Sequence, residues 1–259
     1  MIRFRSLGSG SGGNATLVEA RNASATSRVL VDCGFTAREF EARLARTGLA
    51  ATDIDAVFVT HEHGDHIGCA VTLARRHRLP LWMSRGTWRA IGEPDLPGLI
   101  RFARDGQTIV IGALELAPYT VAHDAQEPLQ LCLSDGIHRL GMLTDAGSIT
   151  EHMLASLQGC HALLLECNHD RELLARSRYP ASLKARVGGR FGHLSNEAAA
   201  HILDACLHAG LRHVVAVHLS EQNNRPELAL AALAGVCGAH CAVLHTASQH
   251  SGFDWIELH

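Results

Sequence analysis

Short apolar runs separated by glycine- and serine-rich breaks fill the first third of the chain, a pattern that predicts β-strands joined by turns. A loop of sequence GSGSGGN separates the first two of these runs. Apolar residues recur at helical spacing in Thr36–Thr47 and in Ile67–Arg76, which we predict to be helices. The predicted strands are Ile2–Ser6, Ala15–Ala20, Arg28–Asp32 and Ala56–Thr60.

The middle of the chain, residues 108–144, alternates apolar and polar positions as an antiparallel sheet does. From Glu151 onward, the buried-strand patterns ALLLEC and HVVAVH alternate with helical patterns over Asn196–Ala209 and Pro226–Val236. Two β-rich segments, each followed by helix-rich sequence, predict an α/β protein with two packed sheets and helices outside them. The order of the strands within each sheet does not follow from the sequence.

Composition narrows the class of protein. Of the 259 residues, 47% are hydrophobic and 19% are charged, as in a globular protein. The formal net charge of −3 gives no overall basic field for nucleic acid, although bound divalent cations would reverse the sign locally. The N-terminus has no signal-peptide core and no stretch has transmembrane length, which predicts a soluble cytoplasmic protein without a membrane partner. The eight scattered cysteines are interpreted as reduced core residues. For the close pair Cys237 and Cys241, with His240 and His245 nearby, a zinc site is the alternative interpretation.

The densest chemistry in the chain is THEHGDHIG, residues 60–68. Imidazoles and carboxylates at this density are costly inside a fold unless a partner satisfies them. Alternate residues at a strand end point the same way, so His61 and His63 are placed to hold one ion. Gly64 allows a turn, after which Asp65 and His66 face a neighbouring point. Nitrogen and carboxylate ligands favour Zn²⁺, Mn²⁺ or Fe²⁺ over Ca²⁺, so the motif predicts a transition-metal site.

Two ions need more ligands than one turn supplies. His123, Asp145 and His218 each follow an apolar β-like run, which places all three at one rim of the predicted sheets. An aspartate at that rim has two oxygens with which to bridge both ions. We therefore expect the metal site to be completed by residues from distant parts of the chain.

In these residues the chain resembles the metallo-β-lactamase fold family. THEHGDHIG is similar to the HxHxDH motif of that family, and VDCG, His123, Asp145 and His218 match its other motifs in order over essentially the whole chain. The resemblance implies a four-layer αββα sandwich formed by a single domain, residues 1–259. It also implies two divalent metal ions, with Asp145 holding both and Asp32 of VDCG orienting the turn that carries the ligands. The remaining implied ligands are His61, His63 and His123 for one ion and Asp65, His66 and His218 for the other.

Other segments bear on the substrate. LLLECNHD places Glu166 at a strand end, and RFGHLSN places His193 in a glycine-flanked turn before a helix. A helix N-terminus with a histidine and cations nearby suits phosphate, whereas a neutral lactam needs neither. Simple helix capping, an ordinary turn and a solvated helix face are the alternative interpretations for the candidate contacts. Those candidate substrate contacts are Ser11, Asn14, Asn168, Lys184, Arg186, Ser195 and Asn196.

LEC, GHLS and HLS are similar to motifs of tRNase Z and of β-CASP nucleases. Taken together, LGSGSGGN, HEHGDH, LECNHD and HLSEQNN resemble the YycJ/WalJ (VicX) exonuclease group. That resemblance implies metal-dependent 5′-to-3′ exonuclease activity on DNA. The chain has no room for a β-CASP insert between Asp145 and Glu166 and no evident tRNase Z arm, which disfavours large structured RNA as a substrate.

The resulting hypothesis is a dinuclear metal-dependent phosphodiesterase, a 5′-to-3′ DNA exonuclease in which a hydroxide bridging the ions attacks phosphorus. The catalytic candidates are Asp65, His193 as a hydrogen-bond or proton donor, and Glu166, which tunes His193. Hydrolysis of a thioester or other small ester, as in glyoxalase-like relatives, and RNA processing are alternatives. A non-hydrolytic di-iron protein is disfavoured, because His63 stands where that class usually has a glutamate. Metal identity, strand polarity and oligomeric state are open at this point.

Overall fold

Two mixed β-sheets form the centre of the computed structural model, which describes residues 1–22, 25–237 and 242–259. The first sheet contains β1 (Ile2–Gly8), β2 (Ala15–Arg21), β3 (Thr26–Val31), β4 (Ala56–Phe58), β5 (Leu81–Met83), β6 (Ile100–Phe102) and β14 (Phe253–Leu258). The second contains β7 (Ile109–Ile111), β8 (Leu114–Thr120), β9 (Leu129–Ser134), β10 (Arg139–Leu143), β11 (Ala162–Glu166), β12 (His213–Val217) and β13 (Val243–Thr246). The strand orders are β14-β1-β2-β3-β4-β5-β6 and β13-β12-β11-β10-β9-β8-β7.

Helices cover the outer faces of both sheets or lie at the rim formed by the strand ends. They are α1 (Ala37–Ala45), α2 (Gly64–Ile67), α3 (Ala70–His77), α4 (Arg85–Ala90), α5 (Glu151–Leu157), α6 (Arg171–Arg176), α7 (Ala181–Val187), α8 (Asn196–Cys206) and α9 (Pro226–Cys237), with a short 3₁₀ turn at Ala51–Asp53. Apolar residues of α1 and α3 pack on the first sheet, and those of α5, α8 and α9 pack on the second.

A central core lies between the sheets, and the alternation of side chains explains it. In β2, Val18 lies in the central core while its neighbour Leu17 lies in the outer core beneath α1 and α3. A strand buried on both faces needs apolar residues at successive positions, as the sequence of β2 has. Helix, sheet, sheet and helix thus form four layers, and the αββα prediction is confirmed.

Parallel pairing sets where the polar loops meet. β3 pairs with β4 in parallel, and β10, β11 and β12 are parallel neighbours in the other sheet. Because the carboxyl ends of parallel strands lie at one edge, the residues that follow them gather at that rim. Asp32, His61, Asp145, Glu166 and His218 all stand at or just after such strand ends.

The ligand turn differs from its prediction in one respect. The predicted helix Ile67–Arg76 is two helices, α2 and α3, broken at Gly68. The φ of Gly68 is +31°, and a Cβ on it would lie 2.4 Å from the carbonyl oxygen of Cys33, so only glycine fits this close approach. Gly64 instead begins α2 and has open space around it. The position at which this turn requires glycine is therefore Gly68, and not Gly64 as predicted.

The cysteines within the described ranges are buried free thiols. Cys237 ends α9, whereas Cys241 lies outside the described residues. Across the described ranges, none of the helices has the length and apolar character needed to traverse a bilayer. The first and last strands are neighbours in one sheet, with Ile2 opposite Leu258 in an antiparallel pair.

Candidate metal centre

The rim of strand ends brings together all seven side chains that the sequence predicts as ligands. Their donor atoms form overlapping groups in which every pair lies within 4.8 Å: His61, His63 and His123; Asp65, His66 and His218; and His61, His66 and Asp145. The first two groups correspond to the two triads expected for separate ions. Asp145 reaches a member of each triad, with 2.8 Å between its Oδ2 and Nε2 of His66.

Asp145 indicates that this donor set fits a cation. The residue is 1% exposed, and its Oδ2 accepts no hydrogen bond from the described residues, because the short contact with His66 lacks hydrogen-bond geometry. A buried acceptor left unsatisfied costs about 1–3 kcal/mol, and more if it is charged. A divalent ion placed among these nitrogens and oxygens would satisfy Oδ2 with ligands that suit zinc or manganese.

Asp32 lies beneath the ligand turn and holds it. Its carboxylate is 2.8 Å from Nδ1 of His66 and accepts hydrogen bonds from the backbone N and Oγ1 of Thr60 at 2.8 and 3.0 Å. With Nδ1 occupied, Nε2 of His66 is directed to Asp145. Asp32 and His218 both have left-handed backbones, with φ of +60° and +54°. Such conformations are strained outside glycine and cluster at functional sites.

Burial and charge together set protonation at the centre. Burial opposes a charge on His66, but the carboxylates of Asp145 and Asp32 outweigh it and raise the pKa of His66 to about 10. The same competition between burial and Asp145 holds the pKa of His218 well above its usual range. Burial, with His66 nearby, holds the pKa of His61 well below its usual value. Protons on His66 and His218 thus neutralise Asp145 in the metal-free chain.

Glu166 and His193 form a hydrogen-bonded pair beside the ligands. Glu166 is fully buried, and its Oε1 lies 2.7 Å from Nδ1 of His193. Its Oε2 accepts backbone N–H groups of Ala146 and Leu194 at 2.9 and 3.2 Å. Burial disfavours the His193 cation, but Glu166 and then Asp145 raise the pKa of His193 to about 9. Because Nδ1 is engaged, Nε2 is the nitrogen that His193 offers to the adjacent cleft.

A cleft of about 390 Å³ opens over the ligands and is lined by His63, Asp65, Asp145 and His218. Its volume lies in the range of about 300–1,000 Å³ that is typical of small-ligand sites. Among the expected substrate contacts, Ser11 and Arg186 line this cleft. The opposite wall is formed by α7 and the residue Tyr179, which sequence reasoning did not single out.

Three expected substrate contacts do not line the cleft, because their side-chain amides are buried and hydrogen-bonded within the fold. The amide of Asn14 donates to the carbonyl of Asp65 at 3.2 Å, and that of Asn168 donates to the carbonyl of His218 at 3.0 Å. Asn196 is paired with another buried asparagine at 2.9 Å. Asn14 and Asn168 thus brace the backbone of two expected ligands.

Two more expected contacts have local structural partners. Ser195 is the N-cap of α8, and its Oγ accepts the backbone N–H of Ala198 at 3.3 Å. The Lys184 ammonium donates to the carbonyl of Ala175 at 2.6 Å, and Lys184 does not line the cleft. The simpler interpretations of these two residues, helix capping and a helix face, describe their contacts in the structure.

Asp124 is a site residue that sequence reasoning missed. Its Oδ1 lies 3.6 Å from Nε2 of His63 and 3.5 Å from Nε2 of His123, and its Oδ2 accepts a hydrogen bond from Arg186 at 2.7 Å. The available signal was its position directly after His123 at the end of a β-rich run.

The four-layer fold and its cluster of metal-binding side chains define the class as a metal-dependent hydrolase of the metallo-β-lactamase type. The sequence model described as “Beta-lactamase superfamily domain” matches residues 27–219, so the chain belongs to that superfamily.

Within the superfamily, the chain belongs to the YycJ/WalJ group, as its motifs predicted. It is 33% identical over 231 residues to “Exodeoxyribonuclease YycJ” of Bacillus anthracis, covering 88% of this chain and 86% of that protein. It is 31% identical over 233 residues to “Exodeoxyribonuclease WalJ” of Streptococcus pneumoniae, covering 88% and 85%. The fold is similar to that of the metallo-β-lactamase fold protein YhfI from Bacillus subtilis, with a TM-score of 0.75, 17% identity and coverage of 99% of this chain and 100% of that one.

Proposed function

We propose that this chain is a dinuclear metal-dependent phosphodiesterase that degrades DNA from its 5′ end. The observation that carries the proposal is the pair of neighbouring donor triads, with Asp145 grouped with His61 of one triad and His66 of the other. The names of the YycJ and WalJ relatives describe exodeoxyribonucleases, which supports a nucleic-acid substrate over a thioester. When bound, two divalent cations such as Zn²⁺ or Mn²⁺ lower the pKa of a water molecule and offset charge on the attacked phosphate.

The proposed ligand assignment follows the two triads. Asp145 is shared, and Asp32 is a positioning residue that orients His66 through Nδ1. Asp65 also lines the cleft, so its carboxylate borders both the ions and the space for the substrate. The triads are His61, His63 and His123 for one ion and Asp65, His66 and His218 for the other.

His193 is proposed as the donor to the phosphate. Against burial, Glu166 and then Asp145 raise the pKa of His193 to about 9 in the metal-free chain, and Glu166 is the partner that still favours a protonated ring when Asp145 holds the ions. Its Nε2 then donates a hydrogen bond to a phosphoryl oxygen or a proton to the departing oxygen. Glu166 acts through His193, because one of its oxygens binds Nδ1 and the other is held by two backbone N–H groups. It is therefore a positioning residue.

Arg186 is proposed to contact the nucleic-acid backbone. Its side chain is 64% exposed at the lip of the cleft, and Asp124 holds its Nε at 2.7 Å. An exposed cation at this position attracts phosphate in a salt-dependent manner. Ser11, on the exposed part of the glycine-rich loop, is the other proposed contact.

The connection between Asp145 and Glu166 bears on substrate size. It contains only α5 and β11. We therefore propose a single domain over residues 1–259, without the β-CASP insert of larger nucleases. This compact form supports DNA ends as the substrate, in preference to large structured RNA.

End-labelled DNA tests the proposal. The protein, loaded with Mn²⁺ or Zn²⁺, is incubated with single-stranded and duplex oligonucleotides that carry a label at either end, with and without a 5′-phosphate. A matching RNA and a thioester are tested in parallel. We expect stepwise loss from the 5′ end of DNA and no loss in the presence of a chelator. Hydrolysis of the thioester alone would overturn the proposal, and loss from the 3′ end would overturn its polarity.

A further inference from the structure

Phe191 is an exposed aromatic ring two residues before His193. Its side chain is 52% exposed, and it is the one aromatic residue among the strongly exposed large hydrophobics of the described ranges. Exposure of a single apolar side chain is ordinary on a protein surface. Two other features of this ring suggest a function: the anchored backbone that carries it and its position beside the metal cleft.

The backbone that carries the ring is firmly anchored. The carbonyl of Phe191 accepts the N–H of Asp124 at 3.0 Å, and the carbonyl of Gly192 lies 2.9 Å from Nδ1 of His123. Gly147 packs beneath the loop, where a Cβ would come within 2.4 to 2.5 Å of its backbone. The loop therefore holds the phenyl ring outward on a support that also contacts an expected metal ligand.

The ring lines a groove that leads out of the metal cleft. A groove of about 240 Å³ is lined by Phe191 and Arg190 together with Asp124, Arg186 and Gly192. The last three also line the metal cleft, so the two spaces share a border at Arg186. A strand whose phosphate lies over the ligands therefore has a path past Arg186 to the ring.

Charge along this path matches a nucleic-acid backbone. The guanidinium of Arg190 lies over one face of the Phe191 ring, 5.5 Å from its centre, so the opposite face is the one available to a base. Arg186 stands at the shared border with its side chain 64% exposed. Proteins that bind single strands combine such cations with aromatic rings on which bases stack.

We propose that Phe191 is a stacking platform for one unpaired base of a DNA strand whose scissile phosphate lies in the metal cleft. Arg186 and Arg190 contact the phosphates on either side of that base. This inference rests on the proposed function and adds a preference to it: a base inside a duplex does not offer its face, so the platform selects single-stranded or frayed ends.

Binding and cleavage of one oligonucleotide series test the platform separately from catalysis. The series is single-stranded DNA with an abasic residue placed at successive positions from the 5′ end. Binding is measured by fluorescence anisotropy on the chelator-treated protein, and release of the labelled nucleotide is measured with Mn²⁺. We expect Phe191→Ala to weaken binding of intact DNA about tenfold, because the variant loses the stacking of one base on an aromatic ring. For the wild type, an abasic residue at one position of the series should weaken binding by the same factor, relative to intact DNA. For Phe191→Ala, an abasic residue at that position should weaken binding no further.

Two further variants keep the test selective. Phe191→Trp should restore binding, and Phe191→Leu, which retains bulk without an aromatic face, should resemble the alanine variant. The matched control is Ile137→Ala, at an apolar position 75% exposed in the turn after β9. It should bind and cleave as wild type does.

If Phe191→Ala binds intact DNA as tightly as wild type, or if its binding still weakens at the abasic position, the platform is refuted. If wild type binds with the expected pattern but releases no nucleotide, the proposed nuclease function fails while the platform stands.

Discussion

Two imidazoles of the centre, His66 and His193, are each held through Nδ1 by a buried carboxylate. Asp32 lies 2.8 Å from the first, and Glu166 lies 2.7 Å from the second. In both cases the acid fixes the ring orientation and leaves Nε2 for the site. The same kind of contact serves two purposes in the proposed mechanism: on His66 it directs Nε2 toward Asp145 and the proposed ion, and on His193 it favours the protonated ring.

The proton on His193 predicts a pH profile. Because Glu166 raises the pKa of His193, the donor is present below that pKa and is lost as pH rises through it, so kcat/KM should fall on the alkaline side. Cations held by Asp145 should place this fall below the pH of about 9 that applies to the metal-free chain. Glu166→Gln removes the main charge that raises this pKa, so the alkaline fall should move to lower pH. The measurement is kcat/KM for release of the 5′ nucleotide across pH, with thermal melts to establish folding.

His193→Ala should lower kcat about 10²- to 10⁴-fold, as loss of a general acid does. Glu151→Gln, which changes an exposed acid at the start of α5, should leave the profile unchanged. An alkaline limb that stays in place in Glu166→Gln would exclude the proposed role of Glu166.

At the scale of elements, the break between α2 and α3 sets the ligand turn against the first sheet. Gly68→Ala should destabilise the metal-free protein by about 1–3 kcal/mol, because φ is +31° and the new Cβ would meet the Cys33 carbonyl. Gly64→Ala, on the same turn, has open space around it and should be neutral or slightly stabilising. Denaturant unfolding in the presence of a chelator measures both. Equal effects from the two variants would show that the close approach at Gly68 is not a constraint.

The elements themselves were largely predictable where a periodic run is long. The strands before His61, Asp145 and His218 are apolar runs that end at a polar residue, and the structure places all three residues at the rim. β5 and β6 have three residues each and were not predicted. β4 is as short, but its apolar run leads directly into the histidine-rich motif, which marked it as a strand end.

Side-chain direction in polar loops was the least predictable feature. Asn14, Asn168 and Asn196 come from polar segments that suggested exposure, yet all are buried. A buried amide there satisfies backbone groups that the loop would otherwise leave unpaired, and a linear sequence does not indicate which amides do so. Asp124 was not predicted as a site residue, because a single carboxylate after a histidine is common in sequences and carries no specific signal.

For the whole molecule, metal binding should be coupled to proton release and to stability. His66, with a pKa of about 10, and His218, whose pKa is raised well above its usual range, are protonated at neutral pH in the metal-free chain. Because a ligand nitrogen must lose its proton, zinc binding should release protons and strengthen as pH rises. Calorimetric titration in two buffers of different ionisation enthalpy measures the number released.

Zinc should also stabilise the fold, by about 2.7 kcal/mol at a free concentration one hundred times its Kd. Chelation should reverse this gain, as a melting curve would record. Zinc binding without proton uptake by the buffer would contradict the protonation of His66 and His218.

The pairing of Ile2 with Leu258 has a consequence for chain connectivity. Because Ile2 lies opposite Leu258, the first and last strands of the structure are neighbours at one edge of the first sheet. A short peptide joining residue 259 to residue 1 would leave every strand partner as it is, and new ends opened at the Gly136 turn would lie in a surface hairpin. The strand order is thus compatible with circular permutation of residues 1–259.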